Sequence, residues 1–149
     1  SGSFGGLDVN ASARYGTATA PVGATADPEI WGAGLSLGFS GFTIGGSFAE
    51  QDGSFGAFQN SMDGSAFDVG IGYANGPWSY SLTYFEGNNV SNLVAASREE
   101  LQTVIAAAKY KVADNFSVSG FIADTEWTET TTAATVDGTV LGFGAHVSF

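Results

Sequence analysis

Residues 31–39, WGAGLSLGF, set bulky and tiny side chains in strict turn: Trp31, Ala33, Leu35, Leu37 and Phe39 alternate with Gly32, Gly34, Ser36 and Gly38. A period of two sends the two sets to opposite faces of an extended strand. The same rule holds for Leu7, Val9, Ala11, Ala13 and Tyr15 against Asp8, Asn10, Ser12 and Arg14, and for Phe42, Ile44 and Phe48 against Thr43, Gly45 and Ser47. It continues with Phe67, Val69, Ile71 and Tyr73 against Asp68, Gly70 and Gly72, then Trp78, Tyr80, Leu82 and Tyr84 against Ser79, Ser81 and Thr83. Phe116, Val118 and Ile122 face away from Ser117 and Ser119, and Leu141, Phe143, Ala145, Val147 and Phe149 from Gly142, Gly144, His146 and Ser148. The pattern predicts a single all-β unit over 1–149, with strands at roughly 7–16, 30–39, 42–50, 66–74, 78–86, 116–127 and 139–149.

One further segment is ambiguous. In SREELQTVIAAAKYKV, Ser97 and Glu100 match a helix capping box, and Leu101, Val104, Ile105 and Ala108 recur at helical spacing. Read as a strand at 101–112, it puts Val104, Ala106, Ala108, Tyr110 and Val112 on one face and supplies the return path the following strand needs. The strand reading is preferred because neighbouring context overrides local propensity, which brings the expected count to about eight strands.

The connections come in two kinds. Ser40-Gly41, Ala74-Asn75-Gly76-Pro77 and Ala113-Asp114-Asn115 are short and rich in turn residues, whereas 16–29, 50–65, 86–100 and 128–138 are long, polar and acidic. Short and long in turn is the layout of an antiparallel up-and-down sheet with two unlike rims.

A soluble sandwich and a membrane barrel both alternate, so the choice rests on what the second face carries. A soluble sheet turns Lys, Glu, Arg and Gln outward. Here that face is mostly Gly, Ser, Ala and Thr, while the charges collect in the long connections. Aromatics stand at the ends of the apolar stripes (Tyr15, Trp31, Phe39, Phe42, Tyr73, Trp78, Tyr84, Tyr110, Phe116 and Phe149), where the two girdles of a membrane barrel belong. A bilayer leaves no backbone group unpaired, which also explains strands without protective edge lysines or prolines.

Charge and composition exclude other classes. Fifteen acids against four basic residues give a net charge of −11, which repels phosphate backbones and argues against nucleic-acid binding. There is no cysteine, hence no disulfide framework and no thiolate metal site. No apolar run approaches the roughly 18 residues of a spanning helix. The first residue is Ser1, without a cationic apolar leader, so the sequence reads as a mature chain or as a piece of a longer one.

At Phe149, with apolar residues at alternate positions before it, the chain resembles the terminal assembly signal of Gram-negative outer-membrane proteins. The segments GFSGFTIGGSFAEQDG, FDVGIGYANGPWSYSLTYFEG and KYKVADNFSVSGFIADTEW resemble strand–turn–strand units from the C-terminal half of alphaproteobacterial general diffusion porins. That likeness covers most of residues 3–149. It implies an antiparallel transmembrane β-barrel in the outer membrane, part of a water-filled, usually trimeric barrel of about sixteen strands that passes ions and small hydrophilic solutes. The partners it implies are outer-membrane lipid, the missing N-terminal half of the barrel, sister subunits of a homotrimer and the solutes themselves.

A closed barrel of about eight strands is only wide enough for its own side chains. A second face built of Gly32, Gly34, Ser36, Gly38, Gly45, Gly70, Gly72, Gly142 and Gly144 would leave it underpacked, so a partial wide barrel is the better reading. A small closed barrel with a structural or adhesive role, and a soluble binding sandwich using Trp31, Trp78 or Trp127, remain as alternatives.

The expected pore-lining residues are Asp8, Asn10, Ser12, Arg14, Asp68, Lys109, Lys111 and His146, with Arg14, Lys109 and Lys111 setting a transverse field, neutralising acids such as Asp8 and Asp68, or marking the membrane rim. No cofactor is required. A Ca²⁺ site is an expectation at Glu50, Asp52 and Asp63, and Asp124, Glu126 and Glu129 form a second acidic group, though neither spacing is an EF-hand. Gly34-Leu-Ser36-Leu-Gly38 matches a nucleophile elbow but lies in mid-strand, and His146 has no second histidine or cysteine with which to share a metal, so no catalytic residue is expected.

Overall fold

A computed structural model describes residues 1–19, 27–55, 60–61, 63–90, 98–130 and 133–148. The strands in chain order are β1 (Gly2–Phe4), β2 (Leu7–Thr17), β3 (Glu29–Phe39), β4 (Phe42–Asp52), β5 (Ser54–Phe55), β6 (Asn60–Ser61), β7 (Gly64–Asn75), β8 (Trp78–Val90), β9 (Arg98–Ala113), β10 (Phe116–Glu129) and β11 (Ala134–Val147). Among the described residues no helix is long and apolar enough to cross a membrane.

Nine strands form one antiparallel sheet in the order β1-β2-β3-β4-β7-β8-β9-β10-β11, and β5 pairs with β6 as a separate two-stranded piece. Within the nine-stranded sheet the strands lie side by side in chain order, with only β5 and β6 set apart between β4 and β7, so the connectivity is up-and-down. The sheet is open: among the described residues β11 pairs only with β10. The ambiguous segment is a strand, because β9 is hydrogen-bonded on both flanks, Leu82 opposite Ala106 and Ala106 opposite Ile122. Ser97 of the capping-box match lies outside the described residues, as does Phe149.

Register keeps bulk with bulk. Tyr15 stands opposite Trp31, Val9 opposite Leu37, Phe42 opposite Tyr73, Ile71 opposite Leu82, and Ile122 opposite Leu141. A slip of one residue would mix the two faces on every strand, which is why the alternation fixes the pairing. On the bulky face the aromatics make two belts. Near the short turns lie Phe42 against Tyr73 (ring centroids 4.4 Å apart) and Trp78 against Tyr110 (4.6 Å); near the long connections lie Trp31 against Phe48 (5.1 Å) and Phe67 against Tyr84 (5.8 Å). Between Trp31 and Phe39 the outward stripe runs about 26 Å along the strand at about 3.3 Å per residue, which a tilt of about 40° reduces to roughly 20 Å, close to a membrane barrel's apolar band.

There is no core. Among the described residues Ala123 is the one buried hydrophobic side chain, while Phe143 is 89% exposed, Leu141 66% and Phe39 61%. The exposed large hydrophobics all belong to the bulky face except Leu101, Phe121, Val136 and Val140. This overturns the soluble-sandwich alternative, which needs these side chains packed against a second sheet.

The strands also reach further than the sequence pattern suggests. A short β1 precedes the first expected strand, and the connection read at 128–138 is mostly ladder, Glu129 standing opposite Ala134 and Trp127 opposite Val136. Strands β8 and β9 likewise run on to Val90 and back from Arg98. Polarity suggested loops there; backbone pairing makes them wall.

Candidate pore wall

The turn rim is tight. Ser40 (φ 51) and Gly41 (φ 84) both take the left-handed conformation that a two-residue hairpin turn of matching twist demands, and Ala74 N–H donates to the Gly41 carbonyl at 2.8 Å. Lys111 N–H reaches the Pro77 carbonyl at 2.8 Å and Ser148 N–H the Asn115 carbonyl at 3.0 Å, so neighbouring hairpins are tied at their ends. This frame fixes which side chains stand on the small-residue face.

The expected wall residues do share that face. Asp8, Asn10, Ser12 and Arg14 stand opposite Gly38, Ser36, Gly34 and Gly32. Asp68 stands opposite Ser47, whose hydroxyl donates a hydrogen bond to its Oδ2. Lys109 lies between Ser79 and Ser119, and Lys111 and His146 flank Ser117 from either side, near the turn rim. The small face is hollow. Cavities of about 480, 340, 310 and 270 Å³ open on it, the second against Asn10, Ser12, Ser36, Ser47 and Asp68, the third against Lys109, Lys111, Ser117 and His146, the fourth beside Arg14.

Among the described residues no ion pair joins a base to Asp8 or Asp68. Among the described residues the one ion pair joins Lys111 Nζ to Asp114 Oδ1 at 2.8 Å, both exposed on the turn rim. The hydrogen bond from Lys111, then its charge, holds the Asp114 carboxyl below the usual carboxylate range. Lys109 and Arg14 make no ion pair among the described residues. The expected Ca²⁺ ligands do not converge: Glu50 and Asp52 share the bulky face, Asp63 Oδ1 accepts the Gly53 N–H at 3.3 Å, and no described group of three acids or histidines could hold a metal. Gly34–Gly38 runs unbroken through β3, without the strand–turn–helix corner a nucleophile elbow needs.

Sequence reasoning missed a second zone. Toward the long connections the two faces of β8–β11 exchange character. The face carrying Tyr84, Val104, Ile122 and Leu141 continues as Glu86, Gln102, Asp124 and Thr139, and then Asn88, Glu100, Glu126 and Asp137. The small-residue face meanwhile gains Phe85, Leu101, Ile105, Phe121 and Trp127. The signal was present as alternation in opposite phase, masked because its outward members are acids and amides.

A family model for Gram-negative porins matches residues 1–130. The match covers most of the chain and agrees with the open all-β wall, its exposed bulky face and its hollow small-residue face. The chain belongs to the Gram-negative porin family and is an outer-membrane porin. No curated protein and no solved structure matches it. The family is one of channels rather than enzymes, and its setting is outer-membrane lipid.

Proposed function

We propose that the chain forms part of the wall of a water-filled channel for passive diffusion of ions and small hydrophilic solutes. The observation that carries this is the division of the two faces: hydrocarbon exposed on one, hollows lined by Ser, Gly, Asn and Asp on the other. Small polar residues keep water in the passage, and fixed charges bias which ions follow the wall. The reading requires no cofactor and no reacting group. A Ca²⁺ role for Glu50, Asp52 and Asp63 is a separate proposal, checked by calorimetric titration with CaCl₂; absence of saturable binding retires it.

Nine strands are about half of a wide pore, and the open sheet supports a complete barrel that contains further strands; assembly as a homotrimer is part of the same proposal. The net charge of −11 supports cation preference. Planar-bilayer recordings of the full-length protein in a salt gradient test the proposal: the expected result is an ohmic pore whose reversal potential favours cations, and no ion-permeable pore defeats it. Among the described residues Lys109 makes no ion pair, whereas Lys111 is held by Asp114, so Lys109→Gln should shift the reversal potential further toward cations than Lys111→Gln does.

A further inference from the structure

A cavity of about 480 Å³ lies toward the long connections on the small-residue face. Its floor is made by absent side chains: at Gly87 a Cβ would come within 3.1 Å of the Phe85 ring, and at Gly64 within 2.7 Å of the Asn88 carbonyl. Its apolar walls are Ile30, Phe85, Leu101 and Trp127. Leu101 and Trp127 are direct cross-strand neighbours, and Leu101 stands opposite Gly87 on its other side. A diffusion path needs no apolar hollow of this kind.

The charge of the lining is one-sided. Glu99 is the acid whose register sets it on the cavity's own face; Glu50 and Glu100 border the cavity from strand positions that belong to the bulky face, and among the described lining residues there is no Lys, Arg or His. Glu99 shares the face of Trp127. We infer that this cavity is a binding subsite for amphipathic organic cations, molecules with a flat apolar or aromatic body and one positive end. The volume fits a drug-sized body. The indole and phenyl faces attract a cation as well as covering apolar surface, and the Glu99 carboxylate disfavours anions of the same shape. Such a subsite concentrates one class of solute at the mouth and slows it there.

The inference rests on the porin reading in that the small-residue face must be the water-filled one, and the test separates the two. Full-length protein in nonionic detergent is titrated calorimetrically with berberine, with tetraethylammonium as a cation lacking an aromatic body, and with naphthalene-2-sulfonate as an aromatic anion. Berberine should bind saturably, the other two at least tenfold more weakly, and Trp127→Ala and Glu99→Gln should each weaken berberine about tenfold. Should Trp127→Ala misfold, Phe85→Ser and Glu99→Gln carry the same test. Equal binding of all three probes, or berberine binding unchanged in the variants, overturns the subsite. Conducting pores without saturable berberine binding defeat the subsite alone; saturable binding without conductance defeats the channel reading and leaves the subsite standing.

Discussion

Gly41 is constrained twice. Its φ of 84 is unfavourable for a residue with a Cβ, and a Cβ there would lie 2.5 Å from the Ala74 carbonyl oxygen. Gly41→Ala should therefore cost about 1–3 kcal/mol in urea unfolding of the reconstituted protein. Gly138→Ala, with nothing within 4 Å of the added methyl, should stay within about 0.5 kcal/mol of the parent. Equal midpoints for the two variants would refute the turn argument. Asp114 gives a residue-scale pH prediction. Its folded carboxyl is depressed by the Lys111 hydrogen bond and charge, so whatever the pair contributes is present above the ordinary aspartate range and disappears as pH falls through the lowered value. Both groups are exposed, so salt should erase the effect. An NMR titration should find the Asp114 midpoint returning to the ordinary range in Lys111→Gln and in high salt.

At the scale of the strand, the exchange of faces along β8–β11 places the upper edge of the lipid-facing band. Leu82 and Ile122 lie within it; Glu86 and Glu126 lie beyond it. Since the chain has no cysteine, single replacements Leu82→Cys, Ile122→Cys, Glu86→Cys and Glu126→Cys can be probed in vesicles with a membrane-impermeant maleimide. The first two should be protected and the last two labelled. Leu82→Arg should cost about 2–4 kcal/mol and Thr139→Arg about 0–1 kcal/mol, following depth in the bilayer. The same strands mark where the sequence was readable. Trp31 to Phe39 and Trp78 to Tyr84 announce their faces because bulk alternates with Gly and Ser. Glu126, Trp127, Thr128 and Glu129 do not, because polarity there reflects water on the outward side while the backbone remains in the ladder. β9 was nearly lost to a helical spacing, since Ala106, Ala107 and Ala108 carry little contrast between faces and only pairing with β8 and β10 decides it. Of the wall, Asp8 to Arg14 could be placed from alternation alone; the hollow at Phe85, Leu101 and Trp127 could not, because it depends on registers across several strands.

For the molecule as a whole, the open sheet leaves one long edge of β11 without a partner among the described residues, a condition that hydrocarbon does not tolerate. Closure against further strands belongs to the same reading as the channel. The near absence of buried side chains has a different consequence. With Ala123 the one hydrophobic side chain withdrawn from the surface among the described residues, the sheet is held by its ladders and by whatever wets its bulky side, so acyl-chain length replaces interior volume as the variable that sets thermal endurance. Reconstitution into phosphatidylcholines of increasing chain length should give a melting temperature that peaks where hydrocarbon thickness matches the stripe from Trp31 to Phe39 and falls on either side. A protein built this way inherits its toughness from the membrane that hosts it.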